Sequence, residues 1–324
     1  MRRSMSGSPA SQRGVALITA VLIVALATIL AVNVGFRSFL DQRRTATGFA
    51  LDEAFEVALG GEAWAADSLR RDAQQSGQRD DFTEEWATPI PPIPIDGGGE
   101  FEGLLEDMQG RFNLNNLVML DGGRLVVDPE ALERFTRLLQ LLELEEQWAG
   151  IIADWIDSDA NEGFPHGAED STYTSLSPAY RTANMPVTRV SELLSLPDFG
   201  LERYRRLEPF VTALPVGSTI NLCTAPPQLL DALLGAQSFS LDPDNVLQTR
   251  KERCFPEKQE FLRSFTGSPT ERESLDRIVG ERSSYFRASV WVTIGAARFT
   301  LYSLLHRTAG TNLVRPIQRS YGTL

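Results

Sequence analysis

The chain has 324 residues, of which 42% are hydrophobic and 23% charged, a composition typical of globular protein and long enough for about two domains. Its formal net charge is −12 at pH 7, which disfavours binding to nucleic acid or to an anionic membrane surface and leaves divalent cations as ligands. The sequence contains no G-x-S-x-G nucleophile elbow and no convincing Ser/His/Asp set, so we expect a protein that is not an enzyme.

The N-terminus combines a short basic leader with a long apolar run. Arg2, Arg3 and Arg13 precede Gly14, and residues 15–36 carry no charged side chain. As a helix this run would be roughly 33 Å long, which is enough to cross a hydrocarbon core of about 30 Å. The basic leader predicts a single-pass segment whose start stays in the cytoplasm while the rest of the chain is exported.

Three processing routes fit this N-terminus. A cut directly after Gly14 would leave the apolar helix on the mature chain, with Val15 as its first residue. The alternatives are an uncleaved anchor and a conventional signal peptide that is cut near residues 25–27. Each route places the remainder of the chain outside the cytoplasm.

Helical spacing of apolar residues continues beyond the membrane-spanning run, so we predict one long helix over residues 15–75. The proline-rich run 88–96 predicts an extended edge strand or a linker, because proline removes the donors of a sheet ladder. Residues 100–120 predict a strand and a turn. We therefore assign 76–125 to a linker and the first part of an α/β domain.

Helical signals dominate the middle of the chain. Asp128 followed by Pro129 predicts a helix start, with Asp as the cap and Pro at the first helical position. Apolar stripes predict further helices over about 145–155, on both sides of a break within 188–211, and up to residue 234. This pattern predicts a helical insertion domain over 126–280.

After residue 281 the period changes from helical spacing to alternation. Apolar and polar residues alternate over 285–314, which predicts two or three antiparallel strands. These strands, assigned to 281–324, would complete the sheet begun before the insertion. The predicted fold class is α+β, with a long N-terminal helix packed on a small antiparallel sheet and a large helical insertion.

Cys223 and Cys254 are the two cysteines of the chain. In an exported domain a disulfide between them is the default expectation, and two free buried thiols are the alternative.

Acidic and amide side chains concentrate between residues 154 and 170. Asp154, Asp157 and Asp159 open this segment, and Glu169 and Asp170 close it. Hard oxygen ligands close together on a loop suit Ca²⁺. The glycine and the closing acid each fall one residue later than in an EF-hand, so we do not predict that motif. A solvated acidic loop is the alternative.

The leader that ends at Gly14 resembles the leader of type IV prepilins. Most such proteins carry Glu at the fifth mature position, and its replacement by Thr19 resembles the minor pseudopilin K of type II secretion systems. The Gly-Arg-Phe-x-Leu-Asn stretch at 110–115, the acidic loop, the cysteine pair and the C-terminal strands extend this resemblance over nearly the whole chain.

The resemblance implies a pilin-like fold with a helical insertion similar to a sterile alpha motif. It implies that a prepilin peptidase cleaves between Gly14 and Val15 and that the new terminus is methylated. It also implies a structural protein of the bacterial inner membrane with its bulk in the periplasm. Such a protein caps the tip of a pseudopilus with minor pseudopilins I and J. It helps to start assembly with the other pseudopilins and the inner-membrane platform, and so supports export across the outer membrane.

The resemblance further implies that the helical domain binds one or two calcium ions. The residues that correspond by position to the family's ligand segments are Asp154, Asp157, Asp159, Glu169, Asp170 and, with a weaker match, Asn184.

A rival function comes from residues 196–200, which resemble the hairpin of a helix-hairpin-helix, a module that binds DNA phosphates. Arg203, Arg205 and Arg206 follow it, whereas Asp198 within the hairpin and the acidic net charge oppose phosphate binding. The alternative to a pseudopilin is therefore an exported, membrane-anchored protein that binds DNA.

Overall fold

A computed structural model describes residues 12–75, 79–96, 98–163, 165–235, 242–311 and 313–322. Helix α1 spans Gln12–Gln75, which confirms the long helix expected over 15–75. By length and composition α1 could cross a membrane, and its most apolar window has a mean hydropathy of 3.0 and is entirely unburied. Residues 1–11 of the leader lie outside the described part of the chain.

The remaining elements follow α1 in chain order. The first strands are β1 (Ile90–Ile95) and β2 (Gly99–Asp107). The middle of the chain forms β3 (Phe112–Asn113), β4 (Val118–Asp121), β5 (Arg124–Val127), α2 (Pro129–Leu141), α3 (Gln147–Ile156), α4 (Asp170–Tyr173), α5 (Gly200–Leu207), β6 (Val211–Thr212), β7 (Ile220–Asn221), α6 (Pro227–Leu234), α7 (Pro243–Thr249), α8 (Lys258–Ser264), α9 (Pro269–Ile278) and β8 (Val279–Gly280). The last strands are β9 (Tyr285–Ile294), β10 (Ala297–Thr308) and β11 (Leu313–Tyr321). Short 3₁₀ helices lie at Glu85–Ala87, Met108–Gly110, Leu114–Leu117, Val190–Ser195 and Glu208–Phe210.

A five-stranded sheet in the order β1-β2-β9-β10-β11 supports the second half of α1. Its pairings are all antiparallel. β9 and β10 confirm the alternation predicted over 285–314, and β11 lies almost entirely beyond that range. Alternate residues of β9 and β10 point to α1, so that Val290, Val292 and Leu301 pack with Ala54 and Ala58 in one buried cluster. The sheet thus buries one face of a helix whose first part is wholly exposed.

Gly61 sets how closely α1 approaches the sheet. A Cβ atom at this position would lie 2.4 Å from a ring atom of Phe101 on β2. Gly60, the preceding residue, has open space around the same position. Only one glycine of this pair is therefore required by packing.

The proline-rich run forms β1, which pairs with β2 alone and is an edge strand of the sheet. This outcome confirms the edge position expected from the three prolines within Ile90–Ile95.

The helical unit is inserted between β2 and β9 around a separate hydrophobic core. This core extends from Phe112 to Val279 and therefore begins before the expected boundary at residue 126. The earlier start arises because Leu114 and Leu117 are fully buried in it. Asp128 caps α2 by accepting hydrogen bonds from the backbone of Glu130 and Ala131, as the sequence predicts.

Two short parallel pairings each close one half of the helical unit. β3 pairs with β6, and β7 pairs with β8. Asn113 and Asn221 stand at matching places, because each side-chain oxygen accepts a hydrogen bond from the backbone amide two residues later. Cys223 and Cys254 both lie between β7 and β8 and form a disulfide, which confirms the predicted pair.

Candidate metal centre

The acidic loop connects α3 to α4 and is folded around Asp154. This residue lies in the last turn of α3, and its Oδ2 atom accepts hydrogen bonds from the backbone amides of Gly163 and Ala168, both at 2.9 Å. A Cβ atom on Gly167 would lie 2.3 Å from the same oxygen, so only glycine fits there. Asp154 therefore holds the two ends of the loop close together.

Three carboxylates converge at this loop. Asp157, Asp159 and Glu169 each place one oxygen within 4.8 Å of the others. Asp157 is 4% exposed and Glu169 is 2% exposed, whereas Asp159 is open to solvent. The group is therefore buried on one side and accessible on the other, as an ion that enters from solvent requires.

Within the described part of the chain, three buried oxygen atoms near this group have no hydrogen-bond donor. They are Oδ1 of Asp157, Oε1 of Glu169 and Oδ1 of Asn184. Asn184 has a positive φ of 47°, and its Nδ2 donates a hydrogen bond of 2.6 Å to the backbone oxygen of Asp159. Buried acceptors without donors are costly, and a cation held by the converging carboxylates would satisfy those of Asp157 and Glu169. An all-oxygen donor set fits a hard divalent ion such as Ca²⁺.

The electrostatics of the loop favour the same conclusion. Burial, followed by the charges of Asp159 and Asp154, raises the pKa of Asp157 to about 7. Burial is also the main cause that raises the pKa of Glu169 and of Asp154. The carboxylates thus repel one another, and a bound cation would offset that repulsion.

Asp170 faces a different set of partners. Its Oδ1 accepts hydrogen bonds from the backbone amide and the hydroxyl of Thr182, both at 3.1 Å, and Arg181 lies 3.5 Å from its Oδ2. The Thr182 hydroxyl also donates a 2.9 Å hydrogen bond to Oε2 of Glu169. Thr182 was not among the sequence candidates. The sequence feature that could have indicated Thr182 is its position two residues before the candidate Asn184. The structure thus brings Asp157, Asp159, Glu169 and Asn184 together, while Asp154 and Asp170 build the frame around them.

A second acidic group, Asp72, Asp80 and Glu84, also has converging oxygens. Here the side chain of Arg307 lies between Asp72, at 3.2 Å, and the buried Asp80. The guanidinium supplies the positive charge, so this group joins α1 to the sheet rather than awaiting an ion.

Two of the three arginines that follow the helix-hairpin-helix segment form ion pairs with glutamates. Arg203 pairs with Glu145, and Arg206 pairs with Glu143 at 2.9 Å. Asp198 lies at the hairpin with a φ of 61°. Arg205 is exposed, but two paired arginines beside an acidic hairpin fit phosphate poorly, so the geometry does not favour the DNA-binding alternative.

The expected processing and assembly residues all lie on the exposed first part of α1. Gly14 and Val15 lie within the helix, which begins at Gln12. The Thr19 hydroxyl donates to the backbone oxygens of Val15 and Ala16, at 3.1 and 3.0 Å. Thr19 is therefore satisfied within its own helix.

The long helix, its antiparallel sheet and the inserted helical unit define a pilin-like protein of the kind that secretion systems use. Residues 110–216 match a family model described as Type II secretion system protein K. A protein of that name from Pseudomonas aeruginosa is 38% identical over 308 residues, covering 91% of this chain and 89% of the relative. The chain belongs to the type II secretion system protein K family, which confirms the resemblance seen in the sequence and makes it a minor pseudopilin of type II secretion.

Other relatives agree over similar lengths. The type II secretion system protein K of Klebsiella pneumoniae is 33% identical and covers 96% of this chain and 97% of the relative. A crystal structure of the GspK-GspI-GspJ complex from enterotoxigenic Escherichia coli contains a chain with a TM-score of 0.75 and 24% identity, covering 87% of this chain and all of that one. This likeness confirms the α+β fold.

Proposed function

We propose that this chain is the tip subunit of a periplasmic pseudopilus, held in the inner membrane by α1 until assembly. In this proposal prepilin peptidase cuts between Gly14 and Val15, and the inner-membrane platform assembles the subunit with minor pseudopilins I and J and the other pseudopilins. The related GspK of enterotoxigenic Escherichia coli occurs in a complex with GspI and GspJ, which supports these partners.

The observation that carries the tip position is the bulk of the inserted unit. The core from Phe112 to Val279 projects from a single pilin-like helix and a five-stranded sheet. A head of this size is too wide to repeat along a close-packed shaft, whereas the end of a filament has room for it.

Thr19 fits the same position. A Glu at this place would need a positive partner inside the membrane, because an unpaired carboxylate there costs about 2.5–3.5 kcal/mol. In a filament the amine of the subunit ahead would supply that partner, and a tip subunit has none ahead. The Thr19 hydroxyl needs no partner, because it bonds to its own helix.

We also propose that the acidic loop binds calcium, with Asp157, Asp159, Glu169 and Asn184 as ligands and with Asp154 and Asp170 holding the loop in shape. The unpartnered buried oxygens of Asp157, Glu169 and Asn184 support this assignment. A bound ion would stabilise the head by about 1.4 kcal/mol at ten times its Kd.

Mass spectrometry of the mature N-terminus tests the processing step. Membranes with and without prepilin peptidase are compared, and a peptide that begins at Val15 is expected only with the peptidase. Cleavage near residue 27, or no cleavage, would contradict the filament proposal. Co-purification of the cleaved chain with minor pseudopilins I and J tests the tip complex.

Calorimetric titration with calcium tests the metal site. Asp159→Asn is expected to weaken binding at least tenfold, because it removes a charged ligand on the open side of the site. Glu162→Gln is the matched control, because Glu162 lies in the same loop and its carboxylate pairs with Ser171 instead. Equal weakening by both substitutions would indicate a diffuse acidic loop.

A further inference from the structure

A β-hairpin stands beside the acidic loop. Strands β4 and β5 pair along their length, from Val118 opposite Val127 to the turn at Gly122 and Gly123. Val118 is buried at the base of this hairpin, whereas Leu120, near the tip, is 70% exposed. The hairpin is therefore anchored at one end and extends into solvent at the other.

Ser158 joins this hairpin to the acidic loop. Its backbone amide donates a 3.0 Å hydrogen bond to the carbonyl oxygen of Leu125 on β5, and the Leu125 amide donates a 3.0 Å bond to the Ser158 hydroxyl. The two residues thus exchange hydrogen bonds along the outer edge of β5. We call this pair of bonds the Ser158 clasp.

In the sequence, the clasp residue Ser158 lies among the proposed metal ligands. Ser158 stands between Asp157 and Asp159, two of the proposed ligands. An ion held by both neighbours would fix the backbone of Ser158 and thereby the atoms that bond Leu125. Without an ion, mutual repulsion of the carboxylates favours opening of the same backbone segment.

We propose that the Ser158 clasp couples cation binding to the order of the β4–β5 hairpin. This inference rests on the proposed calcium site and adds a mechanical consequence to it. The bound ion orders the hairpin and holds its exposed tip, including Leu120, in one position. Because coupling between two events is reciprocal, an ordered hairpin also strengthens cation binding. Ser158 is a positioning residue in this scheme, since its side chain bonds Leu125 and is not a ligand.

Amide hydrogen exchange of the full chain in detergent micelles measures the coupling. Calcium, compared with a chelator, is expected to slow exchange both in the loop 157–169 and in the hairpin 118–127. The turn between β9 and β10, at Gly295, is the internal control and should not respond. Protection of the loop without protection of the hairpin would overturn the coupling and leave the calcium site intact.

Ser158→Ala tests the clasp itself. Loss of one hydrogen bond predicts a rise of about 2- to 10-fold in the calcium Kd, together with loss of the hairpin's response to calcium. Ser175→Ala is the matched control, because Ser175 is exposed near the same loop and its hydroxyl bonds only a carbonyl of its own turn. An unchanged Kd and an unchanged hairpin response in Ser158→Ala would refute the assignment of the coupling to the Ser158 side chain.

A second variant keeps the result clear if the remaining backbone bond of Ser158 maintains the clasp. Residues 119–126 are replaced by an Asn-Gly turn, which closes the opposed pair Val118 and Val127 with a favoured two-residue connection. Calcium binding is expected to weaken several-fold, and an unchanged affinity would count against the coupling. If the parent chain shows no calcium binding by calorimetry, the calcium proposal itself fails, and this coupling fails with it.

Discussion

Replacement of Asp157 by Asn separates the electrostatic cost of the acidic loop from its role in binding an ion. In the calcium-free protein, burial and the neighbouring acids raise the pKa of Asp157 from 3.8 to about 7. The unfolded chain retains the ordinary value. The penalty is therefore absent below about pH 4, grows as the pH rises, and is complete above about pH 7.

The size of this penalty follows from the pKa. A rise from 3.8 to about 7 corresponds to about 4 kcal/mol at high pH. Burial is the largest cause of the raised pKa, and the polar Asn amide also loses hydration at this buried position, so we expect about half of this, about 2 kcal/mol, to be recovered on substitution. At pH 8 in chelator, Asp157→Asn should thus be about 2 kcal/mol more stable than the parent, and the two should be equal near pH 4.

Chemical denaturation of the full chain in detergent micelles, monitored by tryptophan fluorescence at both pH values, measures the difference. Addition of calcium at pH 8 should stabilise the parent and leave Asp157→Asn almost unchanged. Glu273→Gln, at an exposed residue of α9, is the control for loss of one negative charge. The reasoning is wrong if Asp157→Asn is no more stable than the parent at pH 8 in chelator, or if it keeps the full calcium response.

Three further comparisons test the packing of the fold by the same denaturation assay. Gly61→Ala should lower the free energy of unfolding by about 1–3 kcal/mol, because its Cβ meets a β2 phenylalanine ring. Gly60→Ala should be neutral or stabilising by up to about 1 kcal/mol. Equal effects of the two substitutions would contradict the close approach of α1 to the sheet. Replacement of Cys223 and Cys254 by Ala should cost about 3–4 kcal/mol, and a reductant should then have no further effect on the variant. Arg307→Met should cost about 3–5 kcal/mol because it leaves buried acidic partners without a counter-charge, and a loss below 1 kcal/mol would indicate that solvent reaches them.

Local patterns in the sequence were sufficient to predict α1 and most strands of the five-stranded sheet. An apolar run without charges predicts the exposed first part of α1, and continued helical spacing predicts its extension to about residue 75. The prolines of 88–96 predict an edge strand or a linker, since each removes a ladder donor, and the structure has the edge strand. Alternation after 285 predicts the closing strands, because a period of two reports one buried face.

The boundary of the helical unit was not predictable in the same way. Strands such as β3 and β7 have two residues each, too few to show a period. Their partners lie about 60 to 100 residues further along the chain, so nothing local marks them. The start of the helical core at Phe112 therefore depends on pairings between segments that are distant in the sequence.

The candidate metal centre shows the same division between local and tertiary information. The sequence by itself determined that hard oxygen ligands concentrate at 154–170, because Asp157 and Asp159 are near neighbours on one loop. Only the tertiary structure decided that the Asn184 side chain contacts the backbone of Asp159 and that Asp154 accepts hydrogen bonds from backbone amides. Residue types state which chemistry is available, whereas the direction of each side chain depends on hydrogen bonds made after the loop has folded.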